Sequence, residues 1–279
     1  MGKTGLLNKE ISRRQLLIGS AFLGGSAALV GGRMFYEPHA IEIERIELTL
    51  PRLRRETVIA FLTDLHFCKE RPDNLQHIAE LTMDLEPDLI LMGGDYIEDR
   101  KYSQSLLELA DALSADLGCF AVMGNWEHWI EIDPAEMRRS LADVGVGLLV
   151  NESRTLGDAG LWLMGADDPS TGSESYNGLA PFPDDHAVLM LAHAPAILRS
   201  LSAKRLATDL ILCGHTHGGQ VRLPLLRPPF LPFGSDGYVS GLYESDGMRM
   251  YVSRGVGTSI LPIRFMCRPE ITRIRLLPG

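Results

Sequence analysis

Asp, Asn and His stand at the ends of five apolar runs in this 279-residue chain. Residues 58–62 lead into Thr63-Asp64-Leu65-His66, 88–92 into Gly93-Gly94-Asp95, and 119–123 into Gly124-Asn125-Trp126-Glu127-His128. Further on, 188–191 lead into Ala192-His193, and 210–213 into Gly214-His215-Thr216-His217. Carboxylate, imidazole and carboxamide together form the donor set of a borderline or hard divalent cation. Seven such groups (Asp64, His66, Asp95, Asn125, His193, His215, His217) exceed what a single ion uses alongside water. They fit two ions sharing one carboxylate, with three further ligands on each side. Paired ions about 3.5–4 Å apart make a hydroxide at neutral pH and clamp both oxygens of an in-line displacement at phosphorus. Of eight histidines, four occupy ligand positions and His128 lies beside one; His39, His77 and His186 sit in polar surroundings.

The ligands can meet only if the runs that carry them lie side by side. Residues 58–63, 88–92, 119–123, 161–164, 188–191 and 210–213 are short and continuously apolar, the pattern of strands buried on both faces. Between them, 73–86, 102–116, 134–143 and 195–203 show helical spacing, with Asp73, Ser103 and Asp133 as start residues. Alternation of this kind predicts α/β layers, whose sites lie at the carboxyl ends of the strands. The last third changes character: 220–223, 238–243, 248–252 and 271–277 predict strands without a long helix between them. The spacing predicts one α/β domain over residues 41–279, two packed sheets with helices outside.

Net charge is −9, and residues 1–32 hold Lys3, Lys9, Arg13 and Arg14 against Glu10, leaving 23 basic and 35 acidic residues, −12, in the rest. That field excludes nucleic acid held by charge; phosphate chemistry here needs metal ions. Cys68, Cys119, Cys213 and Cys267 are widely spaced with no C-x-x-C pair, which excludes a zinc ribbon or a thioredoxin motif. Residues 1–40 read as a leader. Arg13-Arg14 precede two leucines, and Leu16–Gly32 is seventeen residues without a charge, resembling a twin-arginine export signal or a minimal membrane anchor. Either way the basic flank stays cytoplasmic and the body lies outside, in the periplasm or cell envelope. Residues 223–233, LPLLRPPFLPF, are too proline-rich for helix or central strand. They read as a stiff loop over the core or as an apolar rim that meets lipid.

The ordered set D-x-H, G-D, G-N-x-x-H, H, G-H-T-H resembles the calcineurin-like metallophosphoesterases over roughly residues 43–277. Within them, GHTHGGQVRLP (214–224) and YVSRGVGTSILPIRF (251–265) are similar to the YkuE/YaeI-type membrane-associated or exported phosphodiesterases. The resemblance implies a four-layer sandwich of two mixed sheets flanked by helices. It implies one ion held by Asp64, His66 and His217, another by Asn125, His193 and His215, and Asp95 bridging them. The ions would be manganese, iron or zinc, and the reaction hydrolysis of a phosphoester, most simply a phosphodiester, by a hydroxide between the ions. One departure stands out: Trp126 takes the place of the family's leaving-group histidine in G-N-H-[DE]. His128, two residues on, is the expected substitute, its pKa set by Glu127 or another carboxylate. Asp167 and Asp168 are expected to shape a turn, and Arg254 and Arg264 to grip a non-reacting phosphate oxygen. Two other functions fit the resemblance: a UDP-2,3-diacylglucosamine pyrophosphohydrolase of lipid A synthesis, and a silent metal-binding module. The residues name no oligomeric state.

Overall fold

Both faces of the central strands are apolar, so each sheet must be covered twice. The computed structural model describes residues 31–68, 75–176 and 182–279, and among them two mixed sheets of six strands. The first contains β1 (Glu42–Leu50), β2 (Thr57–Leu62), β3 (Leu89–Met92), β4 (Cys119–Ala121), β5 (Val146–Leu148) and β12 (Glu270–Pro278). Its order is β1-β12-β2-β3-β4-β5. The second contains β6 (Glu152–Leu156), β7 (Leu161–Gly165), β8 (Ala187–Leu191), β9 (Leu210–Cys213), β10 (Gly241–Ser245) and β11 (Met248–Val252). Its order is β10-β11-β9-β8-β7-β6. Strands β2 to β5 run parallel, as do β7, β8, β9 and β11.

Period-two alternation sorts the side chains into layers. Ile59, Phe61, Leu89 and Leu91 face Leu163, Leu189, Leu191 and Leu212 in the core between the sheets. The alternate residues Ala60, Leu62, Ile90 and Met92 face outward under α1 (Leu75–Met83), α2 (Ser103–Asp111) and α4 (Pro134–Asp143). On the other sheet Met164, Val188, Met190 and Ile211 pack beneath α5 (Ile197–Lys204). The result is the expected four-layer α/β sandwich.

The helix starts follow local chemistry. Asp133 accepts from the Ala135 and Glu136 amides, with Pro134 at the first helical position. Ser103 does not cap its helix; Asp99 caps a short turn, Arg100–Tyr102, that leads into α2. Asp73 lies outside the described residues, as do residues 1–30 with Arg13, Arg14 and most of the expected leader.

Three strands escape the apolar-run pattern. β1, β5 and β6 are short or edge strands, and the mixed polar sequences of β1 and β6 carry no continuous apolar run. The expected strand at 220–223 reduces to one bridge between Val221 and Phe265. Residues ahead of 41 also contact the body. Glu37 is buried, pairs with Arg33 and accepts from the Cys267 amide, and the Arg264 amide donates to Met34 O at 3.0 Å.

Candidate metal centre

Strands β2, β3 and β4 of one sheet and β8 and β9 of the other aim their carboxyl ends at a single cleft. Asp64 and His66 follow β2, and Asp95 follows β3. Asn125 opens the short helix α3 (Asn125–Trp129) after β4, His193 follows β8, and His215 and His217 follow β9. All seven side chains are buried. The ligand loops turn back sharply at the strand ends. Five of the seven ligands sit at positive φ: Asp64 (54°), His66 (46°), Asp95 (55°), His215 (70°) and His217 (49°). Left-handed backbone at non-glycine residues costs on the order of 1 kcal/mol or more each and gathers at functional sites. Hydrogen bonds from the neighbouring loops hold it in place: Asp64 N to Gly94 O (3.0 Å), His66 N to Asp95 O (3.1 Å) and Gly214 N to His193 O (2.9 Å). Two glycines make room. Gly94 (φ 92°) lies so close that a Cβ would sit 2.7 Å from the Gly124 nitrogen, and a Cβ on Gly214 would overlap the Asp64 carboxylate.

Two clusters of donors result: Asp64, His66 and His217, and Asp95, His193 and His215. Asp95 faces both, its Oδ2 3.2 Å from His193 Nε2 and 3.6 Å from His66 Nε2. Backbone carbonyls select the tautomers. His193 Nδ1–H donates to Gly93 O at 2.8 Å, and His215 Nε2–H donates to Phe233 O at 2.7 Å. The free nitrogens then converge on acceptors. His193 Nε2 lies 3.1 Å from His215 Nδ1, 3.0 Å from Asn125 Oδ1 and 3.2 Å from Asp95 Oδ2. In the other cluster His66 Nε2 and His217 Nε2 face each other at 3.0 Å, with Asp64 Oδ1 3.4 Å from His217 Nε2. Lone pairs aimed at one another around shared carboxylates, away from water, make a cradle for cations; the residues fit a pair of divalent ions.

The titration behaviour agrees. Burial and the surrounding imidazoles push His215 and His217 below the ordinary histidine range, the direction that favours a neutral, ligating ring. Burial raises the Asp64 carboxyl. Burial also works against charge on Asp95, but His193, His66 and His215 overcome it and lower the pKa to about 2. His193 is pulled down by burial and pulled up more strongly by Asp95 and Asp64, ending well above normal.

The cleft opens above this floor as a cavity of about 670 Å³. Asp95, Asn125, His215 and His217 form its base; Trp126, Trp129, Phe230, Phe233, Ile260 and Leu261 are among its walls. Trp126 sets its ring edge-on to His66 at 5.5 Å, and its amide donates to Asp95 Oδ1 at 2.9 Å. Ser170 also lines the cavity, and its hydroxyl has no partner.

The remaining candidates divide: Asp168 takes its expected turn role and a carboxylate pairs with His128, while the two arginines lie elsewhere. His128 lies one turn along α3 from Asn125, half-buried and not among the residues that line the cavity. Asp167, not Glu127, is its carboxylate partner: His128 Nε2 and Asp167 Oδ1 are 2.7 Å apart. Glu127 points the other way and accepts from the Gly124, Asp95 and Tyr96 amides at 2.8–2.9 Å, locking the Asp95 loop to the start of α3. Asp168 shapes the turn, accepting from Ser170 N, Thr171 N and Thr171 Oγ1. Both arginines are corrected. Arg264 is fully buried and spends its guanidinium on the carbonyls of Arg254, Gly255, Gly257 and Cys267. Arg254 pairs with Glu270, Glu44 and Glu42, outside the cavity. Neither is free for a phosphate. Glu127 was the framework residue to find, and the signal was there: an acid at the third position of a helix that starts with glycine is a capping arrangement.

Comparison with known proteins follows the same outline. The Calcineurin-like phosphoesterase family matches residues 57–219, from β2 to just past the last ligand. The chain is 32% identical over 283 residues to Phosphodiesterase YaeI of Escherichia coli (strain K12), covering 96% of this chain and 100% of that protein. It is 29% identical over 280 residues to Uncharacterized metallophosphoesterase YkuE of Bacillus subtilis (strain 168), covering 95% and 97%. Among solved structures, a dimetal phosphatase from Danio rerio superposes with a TM-score of 0.45 at 12% identity, covering 72% of this chain and 88% of that one.

Proposed function

Because this chain belongs to the calcineurin-like phosphoesterase family, and is a hydrolase of phosphoric esters, we propose that its cleft cleaves an envelope phosphodiester carrying a lipid group. The observation that carries the reading is the shared carboxylate: Asp95 faces two buried donor clusters, each drawn from strands of both sheets. Manganese, iron or zinc suits this mixed nitrogen and oxygen set. Once bound, two such ions supply Lewis acidity to the phosphoryl oxygens and lower the pKa of water between them.

The chain's own residues do the rest. Gly93 O and Phe233 O hold two imidazoles in the ligating tautomer, and Glu127 fixes the loop that presents Asp95. His128 donates the proton to the leaving oxygen through an intervening water. Its Nε2 is held by Asp167, which leaves Nδ1 as the nitrogen for the transfer. The apolar cavity walls support the lipid group, and the phosphodiesterase name of the E. coli relative supports the diester. The paired arginines of the leader support a site outside the cytoplasm, whether the leader is kept or removed.

The apolar walls also favour a second reading, hydrolysis of an acylated nucleotide-sugar pyrophosphate of the UDP-2,3-diacylglucosamine type. That reaction belongs inside the cytoplasm, and the leader argues against it. The test is direct. The purified chain, stripped and reloaded with Mn²⁺ or Zn²⁺, is assayed on bis-p-nitrophenyl phosphate and p-nitrophenyl phosphate, with Asp95→Asn as control. Metal-dependent cleavage favouring the diester and abolished by the substitution is expected. Bound metal without turnover of either compound sinks the reading.

A further inference from the structure

Twelve large apolar side chains are exposed among the described residues, and eleven of them fall in four segments: 35–36, Trp129, 223–233 and 260–266. Scattered exposed hydrophobes are ordinary on a soluble surface, but a contiguous patch of them is not. Here the four segments are stitched into one face around the cavity mouth. Trp129, Phe230, Phe233, Ile260 and Leu261 all border the cavity. Gln220, just before the proline-rich segment, donates its side-chain amide to Ser259 O and Leu261 O and accepts from Ser259 N. Phe265 bridges to Val221, and the stretch carrying Phe35 and Tyr36 sits against the same strip through Arg264 N to Met34 O and the Arg33 cation over the Phe265 ring.

The exposure is extreme at the tips. Leu225 is fully exposed, Phe233 85% and Ile260 79% exposed. Prolines 224, 228, 229 and 232 stiffen the segment that carries the first two, so the apolar groups are held outward. A flexible loop would fold such groups back onto the body.

Charge on this face has its own sign. The chain carries −9 overall, yet residues 217–235 and 247–269 contain no acid at all, and Arg227 stands exposed among the apolar tips. Arg33 and Met34, which contact this face, directly follow in sequence the uncharged stretch Leu16–Gly32. Apolar tips flanked by Arg and aromatic residues, reached through an uncharged stretch of the same chain, match the chemistry of a lipid–water interface.

We propose that this rim is a docking surface for a lipid bilayer. The cavity mouth rests against the membrane, and the substrate's apolar part passes from the bilayer into the cleft without crossing water. The docking is independent of catalysis. Only the substrate's route rests on the phosphodiesterase reading.

Tryptophan fluorescence separates the two. The full chain is reconstituted with vesicles of phosphatidylcholine and phosphatidylglycerol whose acyl chains are brominated. Three tryptophans contribute emission (Trp126, Trp129, Trp162), so contact through Trp129 should quench roughly a third of it. The quenching should vanish in Trp129→Phe and in Leu225→Glu/Leu226→Glu. The double variant changes two tips outside the cavity lining and should keep its activity on bis-p-nitrophenyl phosphate. Its cleavage of a vesicle-embedded phosphodiester should fall about tenfold as the mouth lifts off the bilayer. Asp95→Asn should lose activity and keep the quenching, so failure of catalysis and failure of docking show up separately. A chain that floats with the vesicles while Trp129 stays unquenched overturns the proposal. So does a doubled solution mass that the Leu225→Glu/Leu226→Glu change abolishes, which would make a second copy the occupant.

Discussion

His128 Nε2 and Asp167 Oδ1 share a 2.7 Å contact, and that hydrogen bond raises the histidine's pKa, with Asp168 and Glu127 adding to it and burial opposing. Burial works to raise Asp167, but His128 and the Ser173 and Asp168 amides overcome it and hold the carboxyl low. The two shifts set a pH window. The raised histidine contributes stability that is fully present below its unfolded pKa, about 6.5, and is lost as pH rises through the higher folded value. The lowered carboxylate contributes above its unfolded pKa, about 3.9, and is lost as pH falls through the folded one. Asp167→Asn should therefore cost about 1 kcal/mol between pH 5 and 6 and much less at pH 9. Denaturant melts at the two pH values check this. If His128 delivers the proton, the same variant moves the alkaline limb of kcat to lower pH. A limb that stays put removes His128 from the proton path. His128→Ala adds a second measure: it should slow an alkyl diester at least tenfold more than a nitrophenyl one, because only the alkoxide needs its proton. Equal losses on both would leave His128 a brace for α3.

At the scale of loops and strands, the turns that carry the ligands depend on groups that never touch the cleft. Arg264 ties the carbonyls of residues 254–257 together, and that loop in turn binds the strand end at Asp64 through Gly257 N to Asp64 O (2.6 Å) and Val256 N to Thr63 O (3.0 Å). Arg264→Met leaves several buried carbonyls without donors. Each costs about 1–3 kcal/mol, so the variant should lose 3 kcal/mol or more of stability. Arg264→Lys should recover little, since one ammonium cannot reach both sides of the fork. If Arg264→Met melts like the parent and loses only substrate affinity, the guanidinium belongs to the substrate after all. Gly214→Ala tests the packing against Asp64: metal bound per chain should fall below two while the fold persists, read by metal analysis beside circular dichroism. These two positions also show what was legible beforehand. The seven ligands could be read because each follows an apolar run directly, and a run buried on both faces leaves few other reasons for a polar residue at its end. Strands β2, β3, β8 and β9 were readable for the same reason. Arg264 was misread because its partners are carbonyls, which carry no side-chain signature, and β1 and β6 were missed because an edge strand alternates or turns polar. The left-handed backbone of five ligands was invisible too: nothing in Asp or His types at those positions announces it.

For the molecule as a whole, a bound metal pair would also fasten the two sheets together, since each donor cluster draws on strands of both. Ions that bind only the folded form at a hundred times their Kd stabilise it by about 2.7 kcal/mol per site. At roughly 2–4 °C per kcal/mol for a domain of this size, stripping one site should lower the melting temperature by about 5–10 °C. A melting point unmoved by chelation would mean the ligands are held without ions. No helix among the described residues is long and apolar enough to cross a membrane. The sheet order has a further consequence, for synthesis. Strand β12 lies between β1 and β2, pairing in parallel with one and antiparallel with the other. Among the described residues the first two strands are thus neighbours only through β12, which is made much later. At 5–20 residues per second, the about 200 residues separating β2 from β12 take roughly 10–40 s to translate. Throughout that interval the backbone edges of β1 and β2 stand open, inviting a chaperone or a wrong strand. The sheet closes only once the segment ending at Pro278 has been made and can slide in between them.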